Sequence, residues 1–278
     1  MTTTLRPTEP LQQNSDGTRS RHYQVCVNSR PVGRVHIGTH PVFGDAVARI
    51  TSLRIEEPDR GRGRGTVAAL AAEEIARGWG CRRIEATVPA EGAGAAGPAF
   101  RLATALGYVV RNHTMEKALG DAPPALPEGS RGRPMSDAEY GPWAAASEAE
   151  YARSWTERGV PEAEARAKAA KDHATLLPDG RDSEGMILSV LEQEGTPVGT
   201  LWLSVRAERA FVFDVEVGAA HRGRGHGRSL MLLAETQSIA AGKRVVGLNV
   251  FAGNTPAERL YASLGYGTTQ YTMYKHLL

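Results

Sequence analysis

Cysteine is scarce in this chain: Cys26 and Cys81 are the only two, without the CxxC spacing of a metal or redox site and without the number a disulfide framework needs. Two reduced, half-buried thiols in a reducing compartment are expected. Charge of either sign is also in short supply as an excess, since 33 Lys and Arg face 31 Asp and Glu for a formal net charge of +2. A chain so balanced lacks the surplus with which nucleic-acid binders release counterions, so no nucleic-acid partner is expected. No run of about eighteen apolar residues occurs, and the opening MTTTLRPTEPLQQNSDGTRS holds no apolar signal segment. The expectation is a cytoplasmic protein without a membrane partner. What is present is length: 278 residues suit two domains, each with its own core.

Residues 1–20 are polar and rich in Pro, Ser and Gln, which predicts a loose tail or a poorly formed first strand. From Tyr23 the runs YQVCVN and PVGRVHIG, parted by Asn28 and Ser29, read as two strands joined by a tight turn. AVARITSLRI is a third strand, and RGRGRG then opens the helix TVAALAAEEIARGWG, whose terminal glycines are stop signals. RRIEATV, PAFRLATALG and YVVRNHTMEKAL follow as strand, helix and strand. Residues 120–132, GDAPPALPEGSRG, have Pro and Gly but no periodicity and read as a linker. The predicted domains are therefore 21–119 and 133–278.

Past the linker two helical patterns come first, and then the same order returns. RGRGRG at Arg60 to Gly65 matches RGRGHG at Arg222 to Gly227, and RLATALGY at Arg101 to Tyr108 matches RLYASLGY at Arg259 to Tyr266. The chain is a tandem repeat of one α/β unit. Its glycine segments do not fit GxGxxG, because Arg228 stands where a third glycine belongs, and no Lys-Ser/Thr follows to make a nucleotide phosphate loop. Wedged between an apolar strand and an amphipathic helix, they read as an anion site: backbone N–H groups unobstructed by Cβ atoms, at the positive end of a helix dipole, with arginines alongside. A pyrophosphate suits such a site.

The series Arg222-x-x-Gly225-x-Gly227, after a strand ending Val215-Glu216-Val217, and then Asn254, Ala257, Leu260-Tyr261 and Leu264-Gly265-Tyr266, resembles the acetyl-CoA signature of GCN5-related N-acetyltransferases. The resemblance implies two tandem units of that α/β (α+β) fold, each a mixed, mostly antiparallel sheet flanked by helices and splayed between its fourth and fifth strands. It implies acetyl-CoA as cosubstrate, its pantetheine arm in the splay. Backbone groups near Val215 and Val217 would bind the arm and polarise the thioester. The amides of Gly223, Arg224, Gly225, His226, Gly227, Arg228 and Ser229, with Arg222 beside them, would hold the pyrophosphate, and Asn254 would bind the arm.

Acyl transfer to an amine must remove a proton from an ammonium, stabilise an oxyanion and reprotonate a thiolate. Tyr261 is the candidate acid for the thiolate. Asp214 and Glu216, alternate residues of one strand, share a face, and either can accept the ammonium proton, with Glu216 favoured. His221 and His226 lack partners at metal spacing, so no metal site is expected. In the N-terminal copy Ala103 stands opposite Tyr261 and Ala96 opposite Asn254, while the loop with Arg60, Gly63 and Gly65 survives. That copy reads as reduced and non-catalytic, and too little chain precedes Tyr23 for the two helices that open the C-terminal copy. The expected activity is acetylation of a primary amine on a small molecule or peptide. The alternatives are acetylation of a cysteinyl amine, as in mycothiol synthase, and acyl-CoA sensing without turnover.

Overall fold

The computed structural model describes residues 3–277 apart from Asp16, Val42, residues 92–96 and Arg158. The chain opens with β1 (Thr3–Pro7), β2 (Gln12–Gln13), β3 (Arg19–Val27), β4 (Arg30–His40) and β5 (Gly44–Ile55). Then come α1 (Arg64–Gly78), β6 (Arg83–Pro89), α2 (Pro98–Ala105) and β7 (Val109–Ala118). Next are β8 (Ser130–Pro134), α3 (Asp137–Thr156), α4 (Glu162–Leu176), β9 (Met186–Gln193) and β10 (Thr196–Val205). The last elements are β11 (Ala210–Val217), α5 (His226–Ala240), β12 (Val245–Phe251), α6 (Thr255–Ser263) and β13 (Gly267–His276). Local chemistry explains the joints. Asn28 and Ser29 both take positive φ, 47° and 70°, as the two-residue turn of a right-twisted hairpin requires. Ser136 and Glu139 cap the start of α3 reciprocally.

These elements form two compact units, one of Met1–Thr114 with Thr268–Leu278 and the other of Met115–Gly267. Strand order is β1-β3-β4-β5-β6-β13 in the first unit and β7-β12-β11-β10-β9-β8 in the second, the latter using β7 from Met115 onward. Most neighbours run antiparallel, while β5 with β6 and β11 with β12 run parallel. Each unit is thus a mixed, mostly antiparallel sheet with helices, as expected.

The boundaries differ from those expected at 21–119 and 133–278. β13 pairs with β6 from Gln270↔Pro89 to His276↔Arg83, so the end of the chain completes the first unit. The exchange is possible because β7 and β13 carry one pattern, Met115-x-Lys117 and Met273-x-Lys275. Both methionines are buried in a core. Lys275 Nζ lies 2.7 Å from Glu73 Oε2 of α1, and Lys117 Nζ lies 2.7 Å from Glu235 Oε1 of α5. Either strand suits either sheet, and each is used by the sheet that its own half does not build. The opening residues are no tail either: β1 pairs with β3 through five residues, from Thr3↔Val27 to Pro7↔Tyr23. Most of the segment is polar, but pairing along a sheet edge needs only the backbone, and Leu5 packs against the core of the first unit. The expected linker likewise ends in a strand, β8, paired with β9.

In the first unit α1 lays Ala68, Ala72 and Ala76 on a core that includes Val25, Val35, Ile37 and Ile84. In the second, α5 buries Leu230, Met231 and Ala234 against Leu201, Leu203, Val212 and Leu248. The opposite face of that sheet is covered by α3 and α4, where Met135, Trp143 and Leu177 pack on Leu188, Val190 and Trp202. Among the described residues the first unit has no helix ahead of β3.

Candidate functional site

In the second unit β11 and β12 pair only from Ala210↔Val246 to Val212↔Leu248, although β11 continues to Val217 and β12 to Phe251. The two strands part there, and this is the splay. On its other edge β11 stays paired with β10, Leu201↔Val215 and Gly199↔Val217. A register shift between Trp202 and Leu203 marks a β-bulge in β11 just before the gap opens. The bulge sets Trp202 opposite Asp214 and Thr200 opposite Glu216. Both carboxylates therefore share the sheet face that carries Trp202, and α3 and α4 pack on that face.

Past Val217 the chain turns into α5. Gly223 and Gly225 have φ of 76° and 86°, a left-handed conformation that side chains rarely adopt. Around both there is open space, since a Cβ would meet nothing within 4 Å. The amides of Arg228 and Ser229 already bond to Gly225 O, at 2.9 and 3.2 Å, so they close the first turn of the helix. Among the described residues no backbone carbonyl receives the amides of Gly223 to Gly227. Five N–H groups at the head of a fifteen-residue helix are thus left for an anion. Gly227 has another use, because a Cβ there would come within 3.3 Å of Leu260, so its smallness lets α6 approach.

The arginines divide their roles. Arg222 Nε donates to Val217 O at 3.1 Å and so ties the loop to the end of β11. Arg228 donates to Ser263 Oγ at 2.6 Å. Arg224 is exposed, while His226 is buried with its ring 6.3 Å from that of His221. Among the described residues no group of three or more His, Cys, Asp or Glu is placed to hold a metal ion.

Asn254 caps α6, accepting from the Ala257 amide at 3.3 Å. That commits its Oδ1 to the helix and leaves its NH2 group as the donor for a ligand. Tyr261 is half-buried one turn from the end of α6, its ring 6.1 Å from Tyr266. Burial, with the charge of Asp214 adding to it, pushes the Tyr261 hydroxyl up to about 12. At neutral pH it is a proton donor. Burial also lifts the Asp214 carboxyl to about 6, helped by the neighbouring Glu216 charge and opposed by a hydrogen bond from the Val215 amide. Glu216 is exposed. Sequence reasoning favoured Glu216 as the base, whereas Asp214 is the carboxylate in electrostatic reach of Tyr261.

Sequence reasoning missed how far the first unit repeats this frame. There β5 and β6 pair only from Val47↔Arg83 to Ile50↔Ala86 before they part. Arg60 Nε donates to Ile55 O at 2.9 Å, and Gly61 and Gly63 have φ of 70° and 72°. A register shift between His36 and Ile37 places Ser52 and Arg54 where the second unit has Asp214 and Glu216. Ala103, opposite Tyr261, is buried. Ala96, opposite Asn254, lies outside the described residues. Arg64, at the position of His226, is buried and paired with buried Asp59, at the position of His221. The signal that could have found Ser52 and Arg54 is the unchanged spacing back from Arg60 and Arg222.

A model of the acetyltransferase (GNAT) family matches residues 2–100 and 146–266. An uncharacterized N-acetyltransferase, YdgE, of Bacillus subtilis (strain 168) is 29% identical over 129 residues, 45% of this chain and 79% of the relative. N-alpha-acetyltransferase 40 of Saccharomyces cerevisiae is 35% identical over 82 residues, 27% of this chain and 29% of the relative. Among solved structures, a GCN5-related N-acetyltransferase from Sphaerobacter thermophilus is similar with a TM-score of 0.61 at 21% identity, over 92% of this chain and 80% of that one. A tandem GNAT protein from the clavulanic acid biosynthesis pathway gives a TM-score of 0.50 at 21% identity, over 94% and 84%. At such identities the likeness to these structures speaks for the fold.

Proposed function

The chain belongs to the acetyltransferase (GNAT) family, and on that premise we propose that its second unit transfers acetyl from acetyl-CoA to a primary amine of a small molecule or peptide. The observation that carries the reading is the parting of β11 from β12 beyond Val212, ahead of a glycine loop whose five amides no backbone carbonyl among the described residues receives. The residues present fit the cosubstrate: the amides of Gly223 to Gly227 take its pyrophosphate, and the free edge of β11 at Val215 and Val217 takes the pantetheine arm. The NH2 group of Asn254 binds the same arm. When bound, the cosubstrate supplies a thioester as the acyl donor.

The protein's part is proton handling and position. Asp214, with a carboxyl near 6, is ionised at neutral pH yet more basic than an ordinary aspartate, as removal of an ammonium proton requires. The freed amine forms an N–C bond to the acetyl carbon as the C–S bond breaks. Tyr261 gives its proton to the leaving sulfur, and the second proton shed by nitrogen restores the hydroxyl by way of solvent. One proton is released overall, from Asp214. A device for sensing acyl-CoA without turnover has no need of a tyrosine at this position, so Tyr261, where the first unit has Ala103, favours an enzyme. Release of free CoA over a panel of amines tests the reading. CoA that binds without being released from acetyl-CoA by any amine would sink it.

A further inference from the structure

Directly across the sheet from the half-buried Asp214 stands Trp202 of β10. Residues so paired have Cβ atoms about 5 Å apart, which sets the indole beside the carboxyl. Trp202 is itself buried, and three rings hold it: Trp143 of α3, edge-on with centroids 5.6 Å apart, His173 of α4 at 5.2 Å, and Phe213 at 5.0 Å. Phe213 is the residue that the bulge inserts, without a partner on β10. His173 is fixed in turn. Its Nδ1 lies 3.0 Å from Ala169 O, a carbonyl that can only accept, and its Nε2 lies 3.2 Å from Ser147 Oγ of α3. The indole is thus pinned from the side of the helices.

At the same register the first unit has His36 opposite Ser52, and where Leu188 faces Trp202 it has His22 facing His36. His22 and Ser52 are exposed there. The carboxylate, the indole and the two helices over them are present together in one unit and absent together from the described residues of the other. Around Asp214 the titratable groups are Glu216 on its own strand, Tyr261 on α6, and, from α3 and α4, Tyr151, Lys168, Asp172 and His173. Lys168 is engaged with Asp172, and β10 and β12 carry no charged residue. Burial is the largest cause of the lift in the Asp214 carboxyl, ahead of the Glu216 charge.

We infer that Trp202 is a positioning residue for the proton acceptor: its indole, held by His173 and Trp143, keeps water from one side of Asp214, so that the base exists only where α3 and α4 roof the sheet. This rests on the acetyl transfer proposed above, in which Asp214 takes the ammonium proton, and adds what fits that carboxylate for the task. A fully hydrated carboxylate is a weak base. One denied part of its hydration holds a proton more firmly. The indole takes no part in the bonds made and broken.

The experiment follows the Asp214 carboxyl by carbon NMR in the full chain labelled at its aspartate carboxyls, the signal being assigned by its loss in Asp214→Asn. In the wild type it should titrate near 6, and in Trp202→Leu its midpoint should fall by at least about one pH unit, toward the ordinary aspartate value of about 4. Trp202→Phe keeps a ring and should keep most of the lift. His173→Ala frees the indole from behind and should move the midpoint the same way by less. The acid limb of kcat/KM, for the amine of the panel that releases CoA fastest, should move with the NMR midpoint. A wild-type midpoint near 4, or one that Trp202→Leu leaves in place, overturns the inference and leaves acetyl transfer standing. Should Trp202→Leu fail to fold, an unmoved midpoint in His173→Ala overturns it equally. A midpoint that moves while the kinetic limb stays put overturns Asp214 as the base, and with it the reading on which the inference rests.

Discussion

The two units share a scaffold down to single hydrogen bonds and differ at the few atoms where chemistry would occur. In both, the parallel pair of strands parts at the same place, the first arginine of the loop ties back to the strand end, and two glycines turn left-handed before the helix. Both also bury a glutamate under a lysine and a tyrosine. Glu73 meets Lys275, whose Nζ lies 5.9 Å from the Tyr108 ring, and Glu235 meets Lys117, 5.8 Å from the Tyr266 ring. Burial and these glutamates hold both tyrosine hydroxyls well above the ordinary range. What changes is Asp214 to Ser52, Glu216 to Arg54 and Tyr261 to Ala103. The comparison teaches that the loop and the parted strands belong to the fold, whereas Asp214, Glu216 and Tyr261, among them the proposed base and acid, are separable additions.

The sharpest way to break this contrast is an acidic side chain in each loop. Gly225→Glu should abolish turnover, because φ of 86° strains any side chain and the carboxylate would stand where an anion must bind. Gly63→Glu should leave turnover largely intact even if its thermal melt falls. Equal loss in two folded variants would mean that the first unit takes part in the reaction.

Next in size is the buried pair that both units share. Lys275→Met should destabilise the protein by about 2 kcal/mol, since buried Glu73 loses the lysine at 2.7 Å and keeps only Arg77 at 3.9 Å. Adding Glu73→Gln should recover part of that loss in urea unfolding, and Lys117→Met with Glu235→Gln should behave alike. A Lys275→Met midpoint equal to wild type would deny the pair any role in fixing β13.

Tyr261→Phe should lower kcat about a hundredfold with little change in CoA affinity by calorimetry, the mark of a group that acts on the leaving sulfur. Wild-type turnover would remove Tyr261 from the mechanism. The smallest effect is a pH dependence. Because Asp214 must be unprotonated to act and its carboxyl lies near 6, kcat/KM should rise with pH through that value and level off above it. Between pH 7 and pH 5 the fall should be about tenfold, and Asp214→Asn should lack that limb. A limb that persists in Asp214→Asn assigns it to another group.

The tandem repeat, the order of elements and the glycine turns were legible because each depends on residues close together in sequence. So was the shared face of Asp214 and Glu216, which follows from strand alternation alone. The loss of Tyr261 at Ala103 could be read off the repeated Leu-Gly-Tyr. So could Ser52 and Arg54, since they lie as far ahead of Arg60 as Asp214 and Glu216 lie ahead of Arg222, and the bulge shared by both strands leaves that spacing unchanged. The destination of β7 and β13 could not, because their Met-x-Lys patterns satisfy either sheet. Nor could the difference in burial between Asp214 and Glu216: burial is set by what packs on the strand, and no local pattern encodes it.

The placement of β13 has a consequence for how the protein is made. β6 ends at Pro89 and its partner begins at Gly267, so during synthesis the edge of the first sheet stays bare until the ribosome has added the entire second half. At ordinary elongation rates that interval is on the order of ten to forty seconds. Throughout it, the row of N–H and C=O groups along β6 is open to other nascent chains. Chaperone demand should therefore track the time taken to translate the second half, and a ribosome stalled there would leave the first unit unfinished although every residue that precedes its gap has emerged.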